Sequence, residues 1–252
     1  MLFTDSHCHF DFPEFSGLRT DIARQIRELG VHRIIVPGVS AAHWQRQFDT
    51  CRQFAPCYFA FGIHPWWVED AKEEDLTLLP DYLLHNKVIA VGEIGLDAKI
   101  DNMAKQQEFF QAQLAIARSA DLPVLIHHRR THHLIQPLLK QYALPRGGVI
   151  HAYSGSFQQA MTYVELGFKL GVGGTITYER AQKTRDAIAR VPLTSLLLET
   201  DAPAMPLAGR QGEINSPAYL PEVFRQLCQL RSEPEDLIAH QLEQNCQQLF
   251  SF

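Results

Sequence analysis

The chain has 252 residues, of which 46% are hydrophobic and 20% are charged. These values are typical of a globular protein, and a chain of this length can bury a large core without disulfide bonds or structural metals. Its formal net charge of −5 argues against a protein that binds duplex DNA through an excess of positive charge. It does not argue against a nuclease in which bound cations supply positive charge beside the phosphate. The five cysteines are odd in number, widely spaced and without a Cys-x-x-Cys pair, which argues against a disulfide framework and favours a reducing cytoplasm.

The chain begins with a short apolar run that lacks the basic segment of a secretion signal. No later segment approaches the roughly 18 consecutive apolar residues of a membrane span, so no membrane association is expected. The chain contains eight short apolar runs, of which the N-terminal run is the first: Leu2–Ser6, Arg33–Pro37, Tyr58–Ile63, Val88–Gly92, Val124–Ile126, Gly148–Ile150, Phe168–Val172 and Leu196–Glu199. Several are apolar almost throughout, which is typical of strands buried on both faces.

Longer amphipathic segments separate these runs and predict helices, for example Ala104–Ala120 and Thr131–Tyr142. Eight strands that alternate with helices predict a single α/β domain over residues 1–252, a closed (β/α)8 TIM barrel. The alternative is an open doubly wound sheet, which usually carries a glycine-rich turn after its first strand; here that strand is followed by histidines. A long irregular stretch, Ala202–Pro217, precedes two last helices near Pro217–Arg231 and Glu233–Phe250, and a loop of that length is more often functional than accidental.

Residues that can bind metal or move protons lie where most of these strands end, and in such barrels this end carries the active site. The residues are His7, His9, His64, Glu93, His127, His151 and Asp201. His7 and His9 lie on one side of an extended strand, since side chains alternate, while Cys8 between them should point into the core. An isolated His-x-His pair can also be two half-exposed histidines. The other strand ends favour a shared metal site made of His7, His9, Glu93, His127, His151 and Asp201.

Acidic residues at the fourth and eighth strands suggest separate tasks. Glu93 can bridge two cations, one through each oxygen, whereas Asp201 can bind one ion and accept a proton from the attacking water, which makes it the catalytic base. Glu199 and Asp5 lie deeper and could each orient a histidine ligand. Asp97 is expected in a loop, where capping a turn is as plausible a role as catalysis.

Basic residues follow the fifth strand. Only one of the adjacent His127 and His128 can face inward, and we expect this to be His127. Arg129 and Arg130 could contact a substrate phosphate or could form surface ion pairs. Arg210 on the long loop, together with His64 and Arg129, is predicted to contact substrate.

Several remaining residues have plainer predictions. Gly171, Gly173 and Gly174 follow the seventh strand, where backbone N–H groups could bind phosphate, although close strand packing is the slightly favoured explanation. Six other histidines are predicted to lie at the surface: His32, His43, His85, His132, His133 and His240.

Six motifs taken in order over almost the whole chain resemble the TatD-like deoxyribonuclease family, one of the amidohydrolase-type metal barrels. They are Asp5-Ser6-His7-Cys8-His9, Gly62-Ile63-His64-Pro65, Gly92-Glu93-Ile94-Gly95-Leu96-Asp97, Ile126-His127, His151-Ala152-Tyr153-Ser154-Gly155 and Glu199-Thr200-Asp201-Ala202-Pro203. The loop around Met205–Gly212 resembles the bacterial YjjV-type branch.

This resemblance implies one ion held by His7, His9, Glu93 and Asp201, and a second held by Glu93, His127 and His151. The family usually has a small polar residue at position 128, so His128 is a departure that leaves open an additional ligand.

Together these features predict a metal-dependent hydrolase, most directly a phosphodiesterase that acts as an exonuclease on single-stranded or frayed DNA through a water activated by two metals. The alternative is a small-molecule amidohydrolase or lactonase. Many of those bridge their metals with a carboxylated lysine from the fourth strand, and here no lysine lies near that strand end before Lys99. A metal-stabilised binding protein would not need a proton acceptor at Asp201. We expect two divalent ions per subunit, of zinc, manganese or magnesium, and DNA as the partner; no protein partner can be inferred.

Overall fold

The fold is a parallel barrel of eight strands, known from a computed structural model that describes residues 1–54, 56–84 and 88–252. Each strand pairs in parallel with the next along the chain. The strands are β1 Phe3–Asp5, β2 Val31–Pro37, β3 Cys57–Phe61, β4 Val88–Asp97, β5 Val124–Arg129, β6 Gly148–Ile150, β7 Phe168–Val172 and β8 Leu196–Leu198.

Helices follow the strands. They are α1 Arg19–Glu28, α2 Ala41–Cys51, α3 Glu73–Leu83, α4 Met103–Ser119, α5 His132–Tyr142, α6 Phe157–Glu165, α7 Gln182–Arg190, α8 Leu220–Leu230 and α9 Glu235–Phe250. A search of the described helices finds none with the length and apolar character needed to cross a bilayer.

Backbone hydrogen bonds just beyond β1 close the sheet. The Ser6 amide donates to the Leu198 carbonyl at 2.9 Å, and the Asp201 amide donates to the His7 carbonyl at 2.8 Å. The last strand therefore meets the first, and the predicted (β/α)8 barrel is confirmed.

Side chains fill the inside of the barrel, and α9 covers one end of it. The buried interior residues from the strands are Ile35, Ala60, Ile89, Ala90, Leu125, Val149 and Leu197. Cys246, Leu249 and Phe250 of α9 pack against them. Ile34 and Val36, which flank Ile35 in β2, belong instead to the core between the strands and the helices, because successive side chains of a strand point to opposite faces. The same alternation directs inward the residues two positions beyond Leu125, Val149 and Leu197, which are His127, His151 and Glu199.

β4 and β5 extend beyond their predicted ends because they continue to pair with each other. Gly95 pairs with His127 and Asp97 with Arg129. Gly95 has φ of +146°, and a Cβ there would collide with the His127 carbonyl oxygen. Position 95 therefore requires glycine. Because the pairing continues past it, Asp97 is the last residue of β4.

An irregularity in β4 directs Glu93 inward. The register between β4 and β5 shifts between Val91 and Ile94, and both of these residues pack in the core beneath the helices. Two residues, Gly92 and Glu93, therefore lie between two outward-facing ones. A simple alternation from Ala90 would have directed Gly92 inward and Glu93 outward.

Candidate metal centre

The structure brings together the predicted ligands His7, His9, Glu93, His127, His151 and Asp201 at the mouth of the barrel, and it adds His64. Among the residues that the structure describes, three overlapping groups have ligand atoms within 4.8 Å of one another. They are His7, His9 and Asp201; His7, Glu93 and His151; and His64, Glu93 and His127.

Glu93 lies at the centre of this cluster. Its Oε2 atom is 3.1 Å from His7 Nε2 and 3.4 Å from His9 Nε2. Its Oε1 atom is 3.1 Å from His127 Nδ1 and 3.9 Å from His151 Nε2. Burial raises the pKa of this carboxyl, but the surrounding histidines outweigh that effect and hold the pKa well below its ordinary value. Each oxygen of one ionised carboxylate thus faces its own set of imidazoles.

Asp201 faces the same histidines from the loop that follows β8. Its Oδ1 atom lies 3.7 Å from His7 Nε2, and 3.6 Å from both His9 Nε2 and His151 Nε2. Its side chain is 14% exposed, compared with 2% for Glu93, so it is the more accessible carboxylate for a water molecule. Burial raises the pKa of Asp201 despite the neighbouring His151 and His9.

The loop after β8 holds Asp201 in an unusual backbone conformation, with φ of +58°. This is the left-handed region, which aspartate tolerates better than most residues. Asn215 fixes the loop from the far side, since its Nδ2 donates at 2.8 Å to the carbonyls of Thr200 and Ala204. Asn215 is fully buried, and its anchoring role was not predicted.

Glu199 lies behind His151, as predicted for a residue that orients a ligand. Its Oε1 atom is 3.0 Å from His151 Nδ1 and accepts a hydrogen bond from the Ala152 amide at 2.6 Å. Burial lowers the pKa of His151, but Glu199 and Asp201 outweigh it and raise the pKa to about 10. The carboxylates therefore create a strong preference for positive charge at this point, and the donor set suits divalent cations.

Asp97 supports His127, and the prediction that it lies in a loop is wrong. Its Oδ2 atom is 3.1 Å from His127 Nε2 and accepts a hydrogen bond from the Trp66 indole at 2.7 Å. Burial raises the pKa of Asp97, but the hydrogen bonds from His127, Trp66 and the Lys99 amide outweigh this and lower it overall. An ionised carboxylate behind a ligand histidine fixes its ring orientation.

His64 lies at the edge of the cluster with its Nε2 atom 3.4 Å from Glu93 Oε1. Its Nδ1 atom accepts a hydrogen bond from the Trp66 amide at 3.1 Å. A neutral imidazole that accepts at Nδ1 carries its proton on Nε2, a tautomer assigned from this contact. Burial lowers the pKa of His64 to about 4. The residue therefore presents a neutral N–H donor to the site rather than a free lone pair for a metal.

Asp5 forms no hydrogen bond with the His7 ring, whose Nδ1 atom has no partner among the described residues, so the suggestion that it orients this ring is wrong. Its Oδ1 atom accepts from the amides of His7 and Thr200 at 3.3 and 3.0 Å, and Oδ2 contacts Thr200 Oγ1 at 2.6 Å. Asp5 thus joins the backbones that follow β1 and β8, which together carry three of the proposed ligands. Cys8 is fully buried in the core, as expected.

Two arginines predicted to contact substrate differ in their surroundings. Arg129 is exposed beside the mouth, and no carboxylate of the described chain pairs with it. Arg210 instead donates to Glu222 at 2.7 Å, lies 3.5 Å from Glu213 and covers the Tyr219 ring. The contacts of Arg210 therefore do not support a substrate role, because Glu222 of α8 and Glu213 of the loop already compensate its charge.

His128 lies outside the metal-binding groups found in the described chain. The residue is 7% exposed, and its ring centroid lies 4.4 Å from that of His132. Neither of its ring nitrogens has a hydrogen-bond partner among the described residues. Burial lowers its pKa well below the ordinary value, so the ring is neutral. The structure does not support an additional ligand at this position.

The histidines predicted to lie at the surface differ in exposure. His133 and His240 are exposed as predicted, whereas His32, His43 and His132 are half-buried. His132 lies 2.9 Å from both the Tyr163 hydroxyl and the Ser154 carbonyl. His85 is outside the described residues.

Comparison with known proteins places these features in context. The model of TatD-related DNases matches residues 4–251. A curated relative from Escherichia coli K12, the uncharacterized metal-dependent hydrolase YjjV, is 49% identical over 99% of this chain and 98% of its own. The 3′-5′ ssDNA/RNA exonuclease TatD of Erwinia amylovora is 31% identical over 94% of this chain and 95% of its own. The crystal structure of YjjV from Escherichia coli K12 has a TM-score of 0.96 at 48% identity, covering 99% of this chain and 98% of that one.

Proposed function

The chain belongs to the TatD-related DNase family and is a metal-dependent hydrolase, and we propose that it cleaves phosphodiester bonds as an exonuclease on single-stranded or frayed DNA. The observation that carries this proposal is the position of Glu93, whose two oxygens each face a separate set of imidazoles. A carboxylate placed in this way is suited to bridge two cations, and paired cations are a common arrangement in enzymes that hydrolyse phosphate esters.

The residues divide into two proposed metal sites. His7, His9 and Asp201 would hold one divalent ion with Glu93 Oε2, and His127 and His151 would hold the other with Glu93 Oε1. Zinc, manganese and magnesium all accept such mixtures of imidazole and carboxylate. Ions bound there would lower the pKa of a water molecule and offset charge on the phosphodiester.

Asp201 is the proposed general base. The task requires a free basic oxygen near the attacking water, and the imidazoles committed to metal have none. Both oxygens of Glu93 would likewise be bound to metal, one to each ion. Asp201 meets the histidines through Oδ1 and is the more exposed of the two carboxylates, so its second oxygen can accept the proton and later return it to the leaving oxygen.

The proposed substrate contacts are His64 and Arg129. His64 offers a neutral Nε2–H group beside Glu93, suited to a phosphate oxygen. Arg129 offers an exposed guanidinium beside the mouth, and no carboxylate among the described residues pairs with it. We assign Arg210 to support of the loop, since two carboxylates already pair with it.

The name of the Erwinia amylovora relative, an exonuclease on single-stranded DNA and RNA, supports a nucleic-acid substrate. An amidohydrolase or lactonase on the same barrel is not favoured, because Glu93 fills the place at which a carboxylated lysine would bridge the metals. We also propose that residues 1–252 form one domain and that the protein works in the cytoplasm. Five free cysteines support that location.

A substrate panel tests the proposed function. The protein, stripped of metal and reloaded with zinc, manganese or magnesium, is assayed on labelled single-stranded DNA beside amides, lactones and phosphate monoesters. We expect nucleotides to be released from DNA and the other substrates to react far more slowly. Efficient cleavage of an amide or lactone without cleavage of DNA would replace the proposal with the alternative.

A further inference from the structure

We propose that the indole ring of Trp66 is a stacking surface for the nucleobase beside the phosphodiester bond that is cut. This inference rests on the proposed function, because it concerns how the same site holds a nucleic-acid substrate. Trp66 would contribute to substrate affinity, although it is neither a candidate metal ligand nor a group that transfers a proton.

Trp66 is exposed at the mouth, although tryptophan usually buries most of its surface. Its relative exposure is 52%, whereas Trp44 is fully buried. It lies two residues after His64 in a short helical turn, Pro65–Trp67. Its ring centroid is 5.5 Å from that of His64 and 6.5 Å from that of His127. A large aromatic surface therefore stands beside the residues proposed to meet the phosphate.

The ring is held in place rather than free to rotate. The indole Nε1 donates to Asp97 Oδ2 at 2.7 Å, and the same oxygen lies 3.1 Å from His127 Nε2. The ring also contacts Trp67, with centroids 6.3 Å apart and planes inclined by 27°. A ring fixed before binding loses little conformational entropy when a base stacks on it, which favours affinity.

The negative net charge of the chain favours an uncharged contact such as stacking as a source of substrate affinity. With a formal net charge of −5, the protein cannot rely on bulk attraction to a polyanion. Stacking does not depend on positive charge and tolerates any base, as an enzyme that proceeds along a strand requires. In proteins that bind single strands, replacing the aromatic residue under one stacked base by alanine typically costs about 5- to 150-fold in affinity, and removing the base should cost a similar factor.

The test compares two single-stranded oligonucleotides that differ only at the terminal nucleotide, which carries either an ordinary base or an abasic site. Both are assayed with the metal-loaded enzyme, and KM and kcat are measured separately. We expect KM of the wild type to be about 5- to 150-fold higher for the abasic substrate. In Trp66→Ala this ratio should fall towards 1.

One further variant separates stacking from support of Asp97, and a second is a surface control. Trp66→Phe keeps an aromatic face but loses the N–H group, so it should retain most of the preference for the ordinary base. Leu78→Ala removes an exposed leucine from α3 and should keep the wild-type ratio. Metal content is measured in every variant.

The possible failures are distinguishable. If the wild type cleaves both oligonucleotides with equal KM, or if Trp66→Ala keeps the wild-type ratio, the stacking role is wrong while the proposed function stands. If the wild type cleaves neither oligonucleotide, the proposed function fails and the stacking role fails with it.

Discussion

The ring of His127 lies between two carboxylates, with its Nε2 atom 3.1 Å from Oδ2 of Asp97 and its Nδ1 atom 3.1 Å from Oε1 of Glu93. One nitrogen faces the proposed metal site and the other is held from behind. Asp97 is therefore a positioning residue, which acts through His127 and not on the substrate.

Asp97→Asn should weaken metal binding. The amide keeps the shape of the carboxylate but removes the negative charge that holds the His127 ring, and loss of such a partner typically costs about 10- to 100-fold in metal affinity. Competition with a chelating dye measures the change. Asp101→Asn, an exposed carboxylate four residues on, is the matched control and should bind metal like the wild type. Equal affinities in the two variants would mean that Asp97 has no such role.

Gly171→Ala should disturb Glu199. A Cβ at position 171 would occupy the space of the Glu199 carboxylate, which contacts His151. We expect a loss of about 1–3 kcal/mol in unfolding free energy from overpacking and about 10- to 100-fold weaker metal binding through His151. Denaturant unfolding and metal titration measure the two effects.

Gly173→Ala provides the control for this substitution. A Cβ there would lie at an ordinary 3.5 Å from Glu199, so both stability and metal affinity should stay near wild type. If both variants behave alike, glycine at position 171 is not required for the placement of Glu199.

His64→Ala should lower turnover without emptying the metal site. The Nε2–H group is a proposed donor to the phosphate, and loss of one such donor to a developing charge typically costs about 10²- to 10³-fold in kcat. Elemental analysis beside the kinetics makes the distinction, and His64→Gln, which retains an N–H donor, should recover part of the rate. Loss of a full metal equivalent would instead make His64 a ligand.

Asp201→Asn tests the assignment of the general base. The variant keeps a neutral ligand oxygen but cannot take a proton, so we expect turnover to fall about 10²- to 10⁴-fold, the usual worth of general acid–base catalysis. Metal content must be measured together with the rate, because an emptied site would imitate the effect. Near-normal turnover in a fully loaded variant would assign the proton transfer to another group.

Much of the barrel could be predicted because hydrophobic runs and strand alternation are local properties of the sequence. The rule that side chains two residues apart share a face predicted that His7 and His9 lie together, and the ends of the apolar runs predicted the positions of His127 and His151. Glu93 was also chosen correctly as a mouth residue, although its inward direction depends on the register shift between Val91 and Ile94. That shift arises from pairing with β5 and has no local signal.

Long-range contacts explain what the sequence did not reveal. Asp97 belongs to a strand only because β4 continues to pair with β5, and Gly95 was the available sign of that close approach. Trp66 gave no signal by spacing, and its place follows from a hydrogen bond to a residue 31 positions later. Arg210 was predicted from its loop position, but its partner Glu222 lies in a helix that the loop precedes.

The most direct test of the central claim is the rate of single-stranded DNA hydrolysis as a function of added metal. Protein is first stripped with a chelator, and zinc, manganese or magnesium is then added in measured equivalents per chain. We predict no hydrolysis without metal and a rate that reaches its plateau at two equivalents. Full activity in the stripped protein, a plateau at one equivalent, or no cleavage of DNA at any loading would contradict a nuclease built around two metals bridged by Glu93.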